Sequence, residues 1–126
     1  MTKTAITAPD LAPPVGPFSQ AIRSDGFLYL SGQIGVDPAT GKLAEGGVAA
    51  QTERVLRNLQ AVLEAAGKGF DDVVRAGVFL TNMGDFAAMN QVYAKQFTQP
   101  YPARTTIAVV ALPLGASVEI DLVVKA

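Results

Sequence analysis

A cation and a carboxylate near the end of the sequence could together handle an acidic substrate. Arg104 follows Pro100 and Pro102, which stiffen the chain that leads to it. A guanidinium can grip a carboxylate through two parallel hydrogen bonds, so Arg104 is a candidate substrate anchor. The alternative is a surface arginine, or one paired structurally with Glu119 or Asp121.

Glu119 lies in a stretch where apolar residues alternate with polar ones, between Val118 and Ile120. A half-buried carboxylate has a raised pKa and can exchange protons with water. The alternative is a solvated or salt-bridged glutamate. One short turn joins the predicted strands of Arg104 and Glu119, so the pair could share a region of sheet. A cation for the substrate and a carboxylate for water would form a minimal hydrolytic site.

Composition narrows the chemistry further. The chain has no histidine and no cysteine, which excludes a Ser-His-Asp triad, thiolate nucleophiles and Cys-based zinc sites. Any chemistry must then come from Arg, Lys, Asp, Glu, Tyr, Ser or Thr side chains, backbone groups and water. The net charge is −1 and the basic residues are scattered, which argues against a nucleic-acid partner.

Length and hydropathy predict the setting of the site. The 126 residues fit one domain, residues 1–126. No stretch is long and apolar enough for a membrane span or a signal-peptide core, so we expect a cytoplasmic protein with no membrane partner. Hydrophobic residues make up 49% of the chain, which favours an oligomer.

Periodicity predicts two helices and several strands that must position these residues. Apolar residues at helical spacing predict a helix over residues 47–66 with Gly67 as its C-cap, and a second helix from about residue 86 to 97. Strands are predicted at 18–23, 27–31, 73–80, 105–110 and 118–124, with a turn at 37–41.

This order of elements predicts an α+β fold, with one mixed sheet and both helices packed on one of its faces. The opposite face would carry Glu119 and Asp121 among apolar residues. With no helix left to cover it, that face is predicted to be a subunit interface.

Three further residues could line a site. Ser31 and Gly32 end a predicted strand, where glycine allows a ligand to approach backbone donors; a bulge or a strand terminus is the alternative. Asn90 lies at the border of the apolar face of the second helix, where its amide could bond a ligand, a loop carbonyl or water.

Almost the whole chain resembles the RidA family, also called the YjgF/YER/UK family. The resemblance rests on five segments in a fixed order. They are Ala12 to Ala21 (APPVGPFSQA), Leu30 to Ile34 (LSGQI), Asp85 to Asn90 (DFAAMN) with Tyr93, Pro102-Ala103-Arg104 with Leu112-Pro113, and Val118-Glu119-Ile120.

The resemblance implies a chorismate-mutase-like fold assembled as a homotrimer, with sites in the clefts between subunits. It implies hydrolysis of 2-aminoacrylate, its tautomer 2-iminopropanoate and 2-iminobutanoate to 2-keto acids and ammonia, without cofactor or metal. Arg104 would bind the substrate carboxylate and Glu119 would activate water. The cleft would be lined by Ser31, Gly32, Asn90 and the Thr106 backbone.

Two positions depart from the family pattern. Phe18 stands where the family commonly has tyrosine, so the ring that shapes the pocket is kept and its hydroxyl is lost. Thr106 stands where cysteine is common. The change at Phe18 leaves open a deaminase for a longer enamine acid, of the aminomuconate type. A third alternative is a ligand-binding or RNA-acting trimer, because some relatives are described as endoribonucleases.

Overall fold

The computed structural model describes residues 2–126, which form eight strands and two helices. In chain order these are β1 Thr4–Ile6, β2 Ala21–Ser24, β3 Phe27–Ile34, β4 Val36–Asp37, β5 Lys42–Leu43, α1 Gly47–Ala65, β6 Val73–Leu80, α2 Phe86–Tyr93, β7 Ala103–Ala108 and β8 Val118–Lys125. Six strands make the main sheet in the order β1-β2-β3-β8-β6-β7, and β4 pairs with β5 in a separate ribbon.

The main sheet is mixed, as predicted. β7 runs parallel to β6, and the other neighbouring strands are antiparallel. β6 returns to β7 through α2, because parallel neighbours need a crossover connection. This places β7 at one edge of the sheet, with β8 two strands away.

Both helices pack on one face of the sheet, which confirms the predicted α+β arrangement. Val55, Leu59 and Leu63 of α1 are fully buried against this face, and Met89 of α2 is buried beside them. α1 ends in a Schellman motif, in which Gly67 N–H bonds the Glu64 carbonyl and Lys68 N–H bonds the Leu63 carbonyl. No helix within residues 2–126 is long and apolar enough to cross a membrane.

In the part of the chain that the structure describes, no helix covers the other face of the sheet, and we call it the open face. Phe27, Tyr29 and Ile107 are 39%, 49% and 45% exposed there. Glu119 and Asp121 point to the same side, because Val118, Ile120 and Leu122 are buried in the core.

Several predicted boundaries were wrong. The strand predicted at 18–23 begins at Ala21, because the buried Gln20 side chain instead holds the preceding arm by accepting Ala8 N–H and donating to the Ala12 carbonyl. β1 was not predicted; it is only three residues long.

The second helix and the strand after it were also displaced. α2 ends at Tyr93, because Lys95 and Gln96 bond back three residues and tighten the chain into turns. Phe97 nevertheless packs on the Tyr93 ring, which explains its apparent helical spacing. The strand predicted at 105–110 spans Ala103–Ala108, so Arg104 lies inside the strand and not just before it.

Candidate functional site

Arg104 points toward the helix-covered side of the sheet. Its strand neighbour on β6 is Ala76, which is fully buried in the core on that side. The guanidinium carbon Cζ lies 4.7 Å from the ring centroid of Tyr93 and 5.6 Å from that of Phe86, both on α2. These are cation–π distances, so two aromatic rings orient the cation.

A cavity of about 390 Å³ opens beside the guanidinium, and we call it the Arg104 cavity. Its volume lies in the range of about 300–1,000 Å³ that is typical of small-molecule sites. The lining is predominantly aromatic and apolar, with one amide and one cation: Asn90, Tyr93, Ala94, Phe97, Tyr101, Pro102 and Arg104. Asn90 and Arg104, predicted from different elements, therefore meet at one cavity.

Two buried hydroxyls on the Arg104 side of the sheet lack hydrogen-bond partners within residues 2–126. They are the Tyr93 hydroxyl and the Thr106 Oγ1. Thr106 follows Arg104 by two residues along β7 and faces the same way. Burial raises the pKa of Tyr93, and the neighbouring Arg104 guanidinium opposes that rise through its charge and its N–H groups, so the phenol stays neutral at physiological pH.

Glu119 occupies a separate place on the open face, beside Gly32 of β3. A methyl group on Gly32 would lie 2.9 Å from Glu119 Cδ and closer still to Oε2. The carboxylate therefore lies over the glycine, at an irregularity in the pairing of β3 with β8 between Leu30 and Gln33. Sequence reasoning predicted a close approach to Gly32 by a ligand, and the structure places the Glu119 side chain there.

Burial is the largest effect on Glu119 and raises the pKa of its carboxyl, and the neighbouring charge of Asp121 raises it further. A carboxyl with a raised pKa holds its proton to higher pH than an ordinary glutamate. Glu119 is therefore partly buried and holds its proton more tightly than an ordinary glutamate. These are the properties predicted for a group that exchanges protons with water.

Ser31, which precedes Gly32 in β3, is hydrogen-bonded to the arm that leads into β2. Ser31 Oγ donates to the Ser19 carbonyl at 2.6 Å, and Ser31 N–H donates to the Gln20 carbonyl at 3.0 Å. The Ser31 hydroxyl proton is thus committed to holding the arm, and its oxygen can still accept a bond. Phe18, next to Ser19, is 53% exposed and presents its ring to solvent.

The expectation that Arg104 and Glu119 share one region of the sheet was wrong for a single subunit. β6 lies between β7 and β8, so the short connection from β7 to β8 does not form a hairpin. Arg104 faces the helices whereas Glu119 faces the opposite side. The same separation excludes a structural ion pair of Arg104 with Glu119 or Asp121 within one subunit.

Neither Tyr101 nor Phe86 was predicted from the sequence as a site residue, and Tyr93 was named only as part of a family segment. The structure places all three around Arg104, where Tyr93 and Phe86 are the rings nearest its guanidinium. Helical spacing of Phe86 and Tyr93 carried a partial signal, because residues seven apart lie on one helix face. What the spacing could not show is that this face turns toward a cation on an edge strand.

Comparisons with known proteins agree with the motifs. The family model described as endoribonuclease L-PSP matches residues 9–126. Protein DfrA of Myxococcus xanthus is 49% identical over 125 residues, which cover 98% of this chain and 95% of that protein. The 2-iminobutanoate/2-iminopropanoate deaminase of Capra hircus is 45% identical over 109 residues, which cover 86% of this chain and 80% of that protein.

The structural comparison gives the same answer. The crystal structure of RidA from an Antarctic Psychrobacter bacterium matches with a TM-score of 0.91 and 44% identity, over 98% of this chain and 99% of that one. Fold and length correspond over almost the whole of both chains. The chain therefore belongs to the endoribonuclease L-PSP family, which is the YjgF/RidA family.

Proposed function

We propose that this protein hydrolyses 2-imino acids and their enamine tautomers to 2-keto acids and ammonia. The substrates are 2-aminoacrylate with its tautomer 2-iminopropanoate, and 2-iminobutanoate. The observation that carries this proposal is Arg104, held against two aromatic rings at the wall of a cavity of about 390 Å³. A relative named for this activity, at 45% identity, supports it.

In this scheme Arg104 binds the substrate carboxylate through two hydrogen bonds. Asn90 and the Thr106 backbone lie on the same side of the sheet and contact the rest of the substrate. Water adds to the C=N carbon and the nitrogen gains a proton, which gives a carbinolamine. Glu119 in its protonated form then gives a proton to the nitrogen, the C–N bond breaks, and ammonia leaves with the bonding pair. The hydroxyl proton passes back to Glu119 as the C=O bond forms.

A protonated imine is already electrophilic, so the protein contributes mainly orientation of the substrate beside a water. Glu119 and water carry the proton transfers, while Arg104 and Asn90 hold the substrate. We place this reaction in the cytoplasm, because a chain without cysteine suits a reducing compartment.

We further propose that the working unit is a homotrimer with sites between subunits. The opposite orientations of Arg104 and Glu119 support this, because one substrate can meet both only if two subunits contribute. The exposed rings of Phe27 and Tyr29 on the open face support it as well, since apolar patches of this kind mark interfaces. Ser31, Gly32 and Phe18 would then complete the cleft from the Glu119 side.

The test supplies imine enzymatically. A pyridoxal-phosphate dehydratase releases 2-aminoacrylate from serine, and its survival is followed with and without the protein. Wild type is expected to accelerate its conversion to pyruvate, and Arg104→Ala is expected to remove that acceleration. Arg57→Ala, an exposed position on α1, is the matched control and retains activity. No acceleration by wild type, or full activity in Arg104→Ala, would refute the proposal.

A second candidate keeps the reaction and lengthens the substrate. The Arg104 cavity exceeds what a three- or four-carbon acid fills. In the proposed trimer, the Phe18 ring would make the opposite wall of the cleft less polar than the usual tyrosine would. A deaminase for a longer enamine acid would show kcat/KM rising with side-chain length across a series of 2-imino acids. A decline along the series favours the short substrates.

The RNA-acting alternative receives its support from the description of the family model. The net charge of −1 supplies little of the phosphate attraction on which RNA binding depends. RNA cleavage that persists after nuclease-free repurification and vanishes in Arg104→Ala would establish it.

A further inference from the structure

Two carboxylates lie side by side on the open face of β8. Glu119 and Asp121 are two residues apart, and the strand rise puts their Cα atoms about 7 Å from each other. Their register partners differ: Glu119 lies between Ile34 and Phe79, whereas Asp121 pairs with Gly77. Apolar side chains therefore flank Glu119 on both neighbouring strands.

Each carboxylate lies over a glycine of an adjacent strand. Gly32 of β3 makes room for Glu119, and Gly77 of β6 makes room for Asp121. A methyl group on Gly77 would lie 3.3 Å from Asp121 Cγ and closer still to Oδ1. Side chains at these two positions would displace the carboxylates from the sheet, so the glycines permit both to lie flat on it.

The two carboxylates are held differently. Gly77 N–H donates to Asp121 Oδ1 at 3.1 Å. Burial raises the pKa of Asp121, and this hydrogen bond and the charge of Arg75 on β6 act against the rise. Both effects that act on Glu119 raise its pKa. Asp121 is therefore the more readily ionised member of the pair.

Other charged and titratable groups on this face come from three strands. β3 presents Tyr29, β6 presents Arg75, and β8 presents Lys125 beside the two carboxylates. Arg75 donates to Thr105 Oγ1 at 2.8 Å, which holds it toward β7 and away from Glu119. Lys125 pairs with Phe27 at the far end of β8. Asp121 is thus the nearest charge to Glu119 along its own strand.

We propose that Asp121 is a positioning residue: its carboxylate, fixed by Gly77 N–H beside Glu119 on the open face, helps the Glu119 carboxyl to hold a proton. Glu119 can then give that proton to the departing nitrogen and regain one from the carbinolamine hydroxyl. This inference rests on the proposed function for its chemical use, whereas the coupling of the two carboxylates is a property of the free protein.

The direct test is a carbon-13 NMR titration of the Glu119 carboxyl in the free protein. Asp121→Asn removes the charge and keeps the side-chain oxygen that accepts Gly77 N–H. The Glu119 pKa is expected to fall in this variant, because the neighbouring charge that disfavours the ionised carboxyl is removed. Asp25→Asn, in the turn between β2 and β3 at the other end of the sheet, is the matched control and leaves that pKa in place. An unchanged Glu119 pKa in Asp121→Asn overturns the inference.

Wild type alone provides a second readout if the Asp121 variant fails to fold. Two coupled carboxyls titrate in two steps, so the Glu119 signal is expected to show two inflections. A single inflection at the ordinary glutamate pKa of about 4.3 overturns the inference.

The catalytic consequence is tested by the pH profile of kcat/KM. Its high-pH limb, where Glu119 loses its proton, is expected to move to lower pH in Asp121→Asn by the shift that NMR measures. A profile that keeps its limb, despite a shifted Glu119 pKa, overturns the role in catalysis. Absence of deaminase activity in wild type refutes the proposed function, and the titration still decides whether the carboxylates are coupled.

Discussion

Removing the Tyr93 hydroxyl is expected to stabilise the protein without removing its activity. The oxygen is buried and has no hydrogen-bond partner within residues 2–126, although the ring below Arg104 is well packed. Tyr93→Phe keeps the ring, its face toward the guanidinium and its stacking on Phe97 at 4.3 Å. It deletes only the group whose hydrogen-bonding capacity is unfulfilled.

The magnitude follows from two opposing terms. An unsatisfied buried polar group costs about 1–3 kcal/mol, and deletion of the oxygen recovers that free energy. The void left behind costs about 1 kcal/mol or less, because it is smaller than a methyl group. A net gain of about 1 kcal/mol is expected. With an unfolding entropy of about 2.1 cal/mol/K per residue, 126 residues give a rise in Tm of about 4 °C.

The assay is calorimetric unfolding at one fixed protein concentration, since an oligomer has a concentration-dependent Tm. Activity on 2-aminoacrylate is measured in parallel. Tyr93→Leu, which removes the ring, is expected to raise KM by weakening the orientation of Arg104. Destabilisation of Tyr93→Phe by more than about 1 kcal/mol would show that the hydroxyl has a partner in solution, and the reasoning would fail.

Three further predictions concern the Glu119 side of the site. Gly32→Ala is expected to displace the Glu119 carboxylate and to lower kcat/KM by about tenfold or more, because a positioned proton donor is lost. Gly69→Ala is the control, since a methyl group has open space there. Equal effects of the two substitutions would contradict the role assigned to Glu119. Ser31→Ala removes the 2.6 Å hydrogen bond to the Ser19 carbonyl and is expected to lower the free energy of unfolding by about 0.5–1.5 kcal/mol. Amide hydrogen exchange in the arm at residues 16–20 is expected to become faster. Unchanged exchange would show that other contacts hold the arm. Because the folded-state pKa of Glu119 is raised, its contribution to stability is present at low pH and is lost as pH rises through that pKa. The stability of Glu119→Gln relative to wild type is therefore expected to increase between pH 4 and pH 8 in urea titrations. A difference that stays constant with pH would contradict the raised pKa.

Local patterns carried much of the fold. The helical spacing between residues 47 and 66 predicted α1 to within one residue at its end, because one face of a long amphipathic helix and a glycine C-cap leave little ambiguity. The predicted boundaries were wrong where side-chain contacts, and not regular backbone hydrogen bonds, hold the chain in place. Gln20 holds the arm before β2, and the Tyr93 and Phe97 rings stack beyond the end of α2.

The sequence by itself determined which groups are present for chemistry. The absence of histidine and cysteine, together with the motifs around Arg104 and Glu119, was sufficient to predict the family. Strand alternation was also sufficient to put Glu119 and Asp121 on one face, since the period of two is a property of the extended chain.

Only the tertiary structure decided how those groups are arranged. Strand order is set by long-range pairing, and the insertion of β6 between β7 and β8 separates Arg104 from Glu119 although few residues lie between them in sequence. The rings that orient Arg104 come from α2, and the glycine that makes room for Glu119 comes from β3. No local pattern encodes such contacts, because they depend on which elements pack together after each has formed.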